Sequence, residues 1–128
     1  MRLLLDTHTL VWWIRANPLL SAGARDAISV DGADVSVSIA SAWEIAIKVG
    51  RGKWPEAREF LTAFEAGIAD EGFTLLPITV PHVRMAGLIV SDHRDPFDRL
   101  LAAQAMTEGL TLVTSDSKVR SLGVTCLW

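Results

Sequence analysis

The chain alternates short aliphatic runs with longer stretches of mixed apolar and polar residues. Leu3 to Leu5 and Val35 to Ile39 have the length and residue types of strands. Thr9 to Arg15 has the length and apolar content of a helix that stops before Asn17-Pro18. The pattern therefore predicts strands that alternate with helices.

Capping and turn residues give approximate boundaries for the other elements. Serine and aspartate favour N-caps, proline favours the first helical turn, and glycine ends a helix. The other predicted helices are 22–30 (capped by Ser21 and followed by Gly32), Ser41 to about Gly50, Pro55 to about Gly67, Pro81 to Leu88, 97–108 (between Asp95-Pro96 and Gly109) and 117–122; the other strands are 74–78, 110–114 and 124–127.

A first strand that is apolar on both faces indicates a sheet covered by helices on both sides. We predict a three-layer α/β/α sandwich with a mostly parallel sheet of about five strands. The 128 residues suit one compact domain, so we predict a single domain over residues 1–128.

The formal net charge of −3 argues against general attraction to a polyanion, so any nucleic-acid role must be local. The apolar run at the N-terminus is too short for a signal peptide or a membrane span. Cys126 is the one cysteine; it cannot form an internal disulfide and fits a reducing compartment. We therefore expect a cytoplasmic protein with no membrane association.

Two carboxylates follow predicted strands, where ligands bind in open parallel sheets. Asp6 and Asp116 both occupy such positions, although an Asx turn would explain either one alone. Asp98 lies in the first turn of a predicted helix, where the helix dipole also favours an anion. Their joint placement is what indicates a site.

Glu44 is the fourth candidate, on a helix that is apolar nearly all round. Ser41-x-x-Glu44 matches a capping box, and Glu44 with Lys48 makes a favourable i,i+4 ion pair. A carboxylate near the interior also needs a partner, and a metal ion would serve. Carboxylates that converge without histidine or thiolate favour Mg²⁺ or Mn²⁺ and disfavour Zn²⁺ or copper.

Four sequence blocks resemble the PIN domain, specifically VapC-like toxins of type II toxin–antitoxin pairs. These blocks are LLLDTHTLVWW, SAWEIAIK, DPFDRLLAAQA and LVTSD, and the match spans nearly the whole chain in the expected order. The family's four acidic positions fall on Asp6, Glu44, Asp98 and Asp116.

The resemblance implies a ribonuclease that depends on Mg²⁺ or Mn²⁺, with one or two ions per site, and leaves 5′-phosphate and 3′-hydroxyl ends. It also implies a homodimer, inhibited by a small cognate antitoxin that lies in a groove leading to the site. Asp6, Asp98 and Asp116 are the firmer ligands, whereas Glu44 is expected to act through water or as a base. Thr114 fits the family's hydroxyl position, and Thr7 is a second supporting candidate.

Other residues near these motifs have weaker assignments. His93, Asp95 and Arg99 are expected to be structural, with a phosphate contact as the alternative for Arg99. His8 is expected to be a surface or packing residue, and Lys48 to complement the end of its helix, with an RNA-backbone role second. One of the neighbours Trp12 and Trp13 should face outward, towards a dimer partner, the antitoxin or a base, and Trp54 is another exposed candidate.

Two alternatives belong to other functional classes. A noncatalytic PIN-fold module would act through protein or RNA association, but a degenerate site should have lost some acids. A receiver-like phosphoacceptor domain requires an acidic pair after the first strand and a lysine after a late strand. The chain has Thr7 after Asp6, and Thr114-Ser115-Asp116 after the late strand, so neither feature is present.

Overall fold

A computed structural model describes residues 1–128, in which five parallel strands form one sheet. The strand order is β3-β2-β1-β4-β5, which places β1 at the centre. The strands are β1 (Arg2–Leu5), β2 (Asp34–Ser38), β3 (Thr74–Leu76), β4 (Thr111–Val113) and β5 (Cys126–Leu127).

Seven α-helices and two 3₁₀ segments connect the strands. The α-helices are α1 (Thr7–Ile14), α2 (Ala22–Ser29), α3 (Ile39–Gly50), α4 (Arg58–Thr62), α5 (Phe64–Asp70), α6 (Val80–Leu88) and α7 (Pro96–Glu108); the 3₁₀ segments are Pro55–Ala57 and Ser117–Leu122. None of these helices combines the length and apolarity needed to cross a membrane.

Successive residues of β1 face opposite sides of the sheet, which divides the core in two. Leu3 and Leu5 belong to the cluster that includes residues of α1, α2, α3 and α5. Leu4 belongs to the cluster formed with α7 and the segment Ser117–Leu122. Apolar residues thus cover both faces of the sheet, which confirms the predicted three-layer α/β/α class.

The predicted start of α3 is wrong by two residues. Ser38 caps this helix: its side chain accepts a hydrogen bond from the Ala40 N–H at 3.0 Å and donates one to Oε1 of Gln104 on α7 at 2.6 Å. Ser41 lies inside the helix, with its hydroxyl 3.0 Å from that of Thr7. The capping box predicted for Ser41 and Glu44 is therefore absent, and the preceding strand ends at Ser38.

The single helix predicted over 55–67 is divided into a 3₁₀ turn and two short α-helices. Ala63, with φ −112° and ψ 36°, leaves helical geometry between α4 and α5. This bend brings the Phe60 ring against Gly67, where an added Cβ would lie 2.9 Å from the ring. A side chain at position 67 would therefore require the Phe60 ring to move.

The ends of α7 agree with the prediction. The Asp95 side chain accepts hydrogen bonds from the backbone N–H groups of Phe97 and Asp98, and Pro96 occupies the first turn. Gly109, with φ 69°, ends the helix in the left-handed conformation that glycine adopts at low cost. These local signals fix the helix that carries Asp98.

Replacing Ser38 with alanine should destabilise the protein more than replacing Ser41. The Ser38→Ala change removes an N-cap and leaves the buried Oε1 of Gln104 without its donor, which should lower the free energy of unfolding by about 1–3 kcal/mol. Urea unfolding of the two variants measures the difference. An equal or larger loss in Ser41→Ala would contradict this assignment of the cap.

Candidate active site

A polar cleft of about 370 Å³ contains all four predicted acids, together with Thr7. It lies where β1, β2 and β4 end and α7 begins, and Trp12 is its one hydrophobic lining residue. The lining residues are Asp6, Thr7, His8, Trp12, Glu44, Lys48, Asp95, Asp98, Ser115 and Asp116.

Asp6 and Asp116 each cap the segment that follows a strand. Oδ1 of Asp6 accepts a hydrogen bond from the Thr9 N–H at 2.8 Å, and Oδ1 of Asp116 accepts one from the Lys118 N–H at 2.9 Å. The Asx-type explanation is therefore correct for both residues, but it engages only Oδ1. Capping fixes each carboxylate while its second oxygen remains available to the cleft.

Thr114 supports Asp116 from the end of β4. Its buried hydroxyl accepts a hydrogen bond from the Asp116 N–H at 3.1 Å. This contact fixes the backbone at the point where the chain turns away from the sheet, so Thr114 acts on Asp116 through the main chain.

Glu44 has partners on both carboxylate oxygens. Its Oε1 accepts a hydrogen bond from the Thr7 hydroxyl at 2.7 Å, and its Oε2 lies 3.3 Å from Nζ of Lys48. The predicted ion pair is thus present, and Thr7, a supporting candidate from the sequence, donates its hydroxyl hydrogen bond to Glu44. Thr7 on α1 and Lys48 on α3 thus hold the Glu44 side chain in place.

His93 contacts the acid contributed by α7. Nε2 of His93 lies 2.8 Å from Oδ2 of Asp98, and one donor atom from each of His93, Asp98 and Asp116 falls within 4.8 Å of the others. The sequence motifs predicted a structural role for His93 and no histidine among the acids. Its short spacing to Asp98 was the available signal, but the loop that turns the ring back was not predictable.

Arg99 is turned away from the cleft towards the loop before α7. Its Nε donates to the Ala86 carbonyl, one terminal nitrogen donates to the His93 carbonyl, each at 2.9 Å, and the other donates to the Ile89 carbonyl. The phosphate contact considered for Arg99 therefore has no support, because all three nitrogens bind the main chain. Arg99 instead fastens the segment that carries His93.

A PIN-domain family model matches residues 3–124, nearly the whole chain. The chain belongs to the PIN-domain family. This confirms the resemblance carried by the sequence motifs. No curated protein matches the sequence.

Several solved structures share the fold of this chain. VapC20 from Mycobacterium tuberculosis has a TM-score of 0.71 and 15% identity, with 96% of each chain covered. VapBC2 from Rickettsia felis has a TM-score of 0.68 and 18% identity, covering 99% of this chain and 98% of that one. FitAcB from Neisseria gonorrhoeae has a TM-score of 0.62 and 20% identity, covering 98% and 96%. At these identities the likeness is one of fold.

Asp98 has the most perturbed acidity in this PIN-domain cleft. Burial raises its pKa from 3.8 to about 6; the hydrogen bond from His93 opposes this shift, while the carboxylates of Asp95 and Asp6 add to it. Desolvation and like charge both disfavour an ionised Asp98. A cation in the cleft would relieve both effects.

Asp98→Asn should stabilise the metal-free protein at alkaline pH. The pKa of Asp98 is about 6 in the folded state and 3.8 in the unfolded chain, so the unfolded chain loses this proton more readily as pH rises. Ionised Asp98 therefore lowers the free energy of unfolding in full above pH 6, and this loss disappears as pH falls towards 4. Allowing for partial exposure and screening, the gain should be about 1–2 kcal/mol. Thermal unfolding in EDTA at pH 8 and pH 4 tests this; a variant less stable than the parent at pH 8 would contradict it.

Proposed function

We propose that this chain is a divalent-metal-dependent endoribonuclease that acts in the cytoplasm as the toxin of a type II toxin–antitoxin pair, with residues 1–128 as one nuclease domain. The observation that carries the proposal is the convergence of Asp6, Glu44, Asp98 and Asp116 on one cleft of a PIN domain. The capping and ion-pair contacts of these acids leave all four in the cleft.

The donor set fits a hard divalent cation. The cleft is lined by five carboxylates and one lysine, a formal charge of −4 with histidine neutral. Two divalent ions would match this charge and one would halve it, and oxygen ligands favour Mg²⁺ or Mn²⁺. When bound, the ion supplies an activated water at neutral pH and stabilises negative charge that develops on the phosphate.

The residues of the chain divide into ligands and supports under this proposal. Asp6, Asp98 and Asp116 would hold the ion, the first and last through the oxygens that capping leaves available. Glu44, with Thr7 and Lys48 on its two oxygens, is better suited to accept a proton or to bind through water. His93 would orient Asp98, as partners of metal-binding carboxylates generally do.

The structural relatives support the partners in this proposal. One similar structure is a toxin–antitoxin complex from Klebsiella pneumoniae, and VapC20 is described as a toxin that cleaves the sarcin–ricin loop. These relatives support an antitoxin partner and an RNA substrate here. The proposal includes a homodimer, for which exposed apolar side chains such as Trp43 and Val83, 62% and 49% exposed, offer interface area.

Asp6→Asn and Asp98→Asn should each abolish RNA cleavage and weaken Mg²⁺ or Mn²⁺ binding while leaving the fold intact, because a neutral amide is a poor ligand for a hard cation. Calorimetry measures metal binding, and labelled RNA reports cleavage. Asp26→Asn, on the exposed face of α2, is a control with the same change of charge. Undiminished cleavage by purified Asp6→Asn would refute the proposed site.

Growth of a bacterial host separates the nuclease from a noncatalytic module. Expression of the unaltered chain should arrest growth through RNA cleavage, and Asp98→Asn should remove the arrest at an equal protein level. Growth curves with an immunoblot measure both quantities. Arrest that persists in Asp98→Asn would instead support action through binding.

A further inference from the structure

One wall of the cleft is built from aromatic rings and a single lysine. The imidazole of His8 packs edge-on between Trp12 and Trp54, with centroid separations of 5.7 and 5.1 Å. Nζ of Lys48 lies 4.3 Å from the centroid of Trp54 and 3.3 Å from the carboxylate of Glu44. His8, Trp12 and Lys48 all line the cleft, and Trp54 contacts His8 and Lys48.

The exposure of this wall differs from that of a closed packing cluster. His8 is exposed and Trp12 is half-buried, so rings face the cleft beside Asp6. The adjacent Trp13 has a different environment: its indole N–H donates to Glu71 at 2.9 Å, and its ring packs near Phe73. Trp12 also packs near Trp128, with ring centroids 5.8 Å apart, but of the two neighbouring tryptophans it is the one that lines the cleft.

The chemistry of the lining favours an unpaired nucleotide over an apolar peptide. A peptide anchored by apolar side chains would find Trp12 as its one hydrophobic contact in the cleft. A nucleotide has a base, which stacks on aromatic rings whatever its sequence, and a phosphate, which requires a cation. Lys48 is the one lysine or arginine in the lining.

We propose that Trp12 and His8 form a stacking surface for an unpaired nucleobase beside the cleavage site, and that Lys48 binds a phosphate of the same strand. The inference rests on the proposed ribonuclease function and specifies its substrate as single-stranded at this point. Trp54 is a positioning residue, because its ring contacts both the Lys48 ammonium and the His8 ring.

Binding of a fluorescein-labelled single-stranded RNA of mixed sequence tests the stacking surface. Fluorescence anisotropy is measured with Ca²⁺ in place of Mg²⁺, with gels to verify that the strand stays intact, and a second strand carries abasic residues at its central positions. Trp12→Leu should weaken binding of the complete strand by roughly 5- to 150-fold, the effect expected from losing one stacked base. The abasic strand should bind both proteins equally, and Trp12→Phe should restore much of the affinity.

Trp13→Leu is the matched control, since it removes the same ring from the next position on α1. It should leave both affinities within about twofold of the parent, on the reasoning that only Trp12 meets a base. An unchanged affinity of Trp12→Leu for the complete strand, or an equal loss for both strands, would overturn the stacking surface.

Lys48 is tested through the salt dependence of binding. Lys48→Gln should reduce the slope of log K against log salt by about 0.7, the value for one phosphate contact on a single strand, and Lys48→Arg should retain the slope. An unchanged slope in Lys48→Gln would overturn the phosphate contact.

Failure of the proposed function and failure of this inference give different results. A parent protein that binds the strand through Trp12 but never cuts RNA with Mg²⁺ or Mn²⁺ would contradict the nuclease and support the nucleotide surface. Metal-dependent cleavage with full binding by Trp12→Leu would support the nuclease and overturn the nucleotide surface.

Discussion

Parallel pairing of β1 with β2 and with β4 fixes the carboxyl ends of three neighbouring strands at one edge of the sheet. Asp6 leaves the first of these strands, Glu44 lies on the helix that follows the second, and Asp116 comes shortly after the third. A slip of one residue in either pairing would move a carboxylate by more than 3 Å and reverse the faces of its strand. The candidate site therefore depends on strand register before it depends on any single side chain.

Convergence of like charges opposes folding, and the structure offsets it one acid at a time. Backbone N–H groups hold Asp6 and Asp116, Lys48 pairs with Glu44, and His93 binds Asp98. Burial still outweighs the His93 contact, so that the pKa of Asp98 is raised. The ionised Asp98 therefore lowers the stability of the metal-free fold, as expected where stability is exchanged for function. A cation that binds the folded state and not the unfolded chain would raise the free energy of unfolding again.

Features that depend on neighbours in the sequence were predicted more accurately than features that depend on packing. Asp95 and Gly109 bound α7 as expected because an Asx cap and a left-handed glycine are local. Ser38 and Ser41 both suit a helix start, and the choice between them follows the contact of Ser38 with Gln104, 66 residues away. The bend at Ala63 has no proline or glycine beside it, so no local signal marks it, and it accompanies the contact of Phe60 with Gly67.

The same difference between local sequence signals and long-range packing applies to the candidate site. Asp6 and Asp116 were predicted to be close because the ends of parallel strands meet at one edge, and the resemblance to the PIN domain added Glu44 and Asp98; all four line the cleft. The place of His93 was missed because its loop is fastened by Arg99 through carbonyls of three separate residues. An arginine considered for phosphate binding therefore positions a histidine instead, and residue type alone did not distinguish these roles.

The charge of the cleft constrains the order in which ligands can bind. At −4 the lining is more negative than the chain as a whole, at −3, so a metal-free cleft would repel an RNA backbone. One lysine, already paired with Glu44, cannot reverse that field. RNA would thus associate productively only after, or together with, a divalent ion. Aromatic stacking suits this cleft because a neutral base gains contact with the rings of His8 and Trp12 without the repulsion that a phosphate meets.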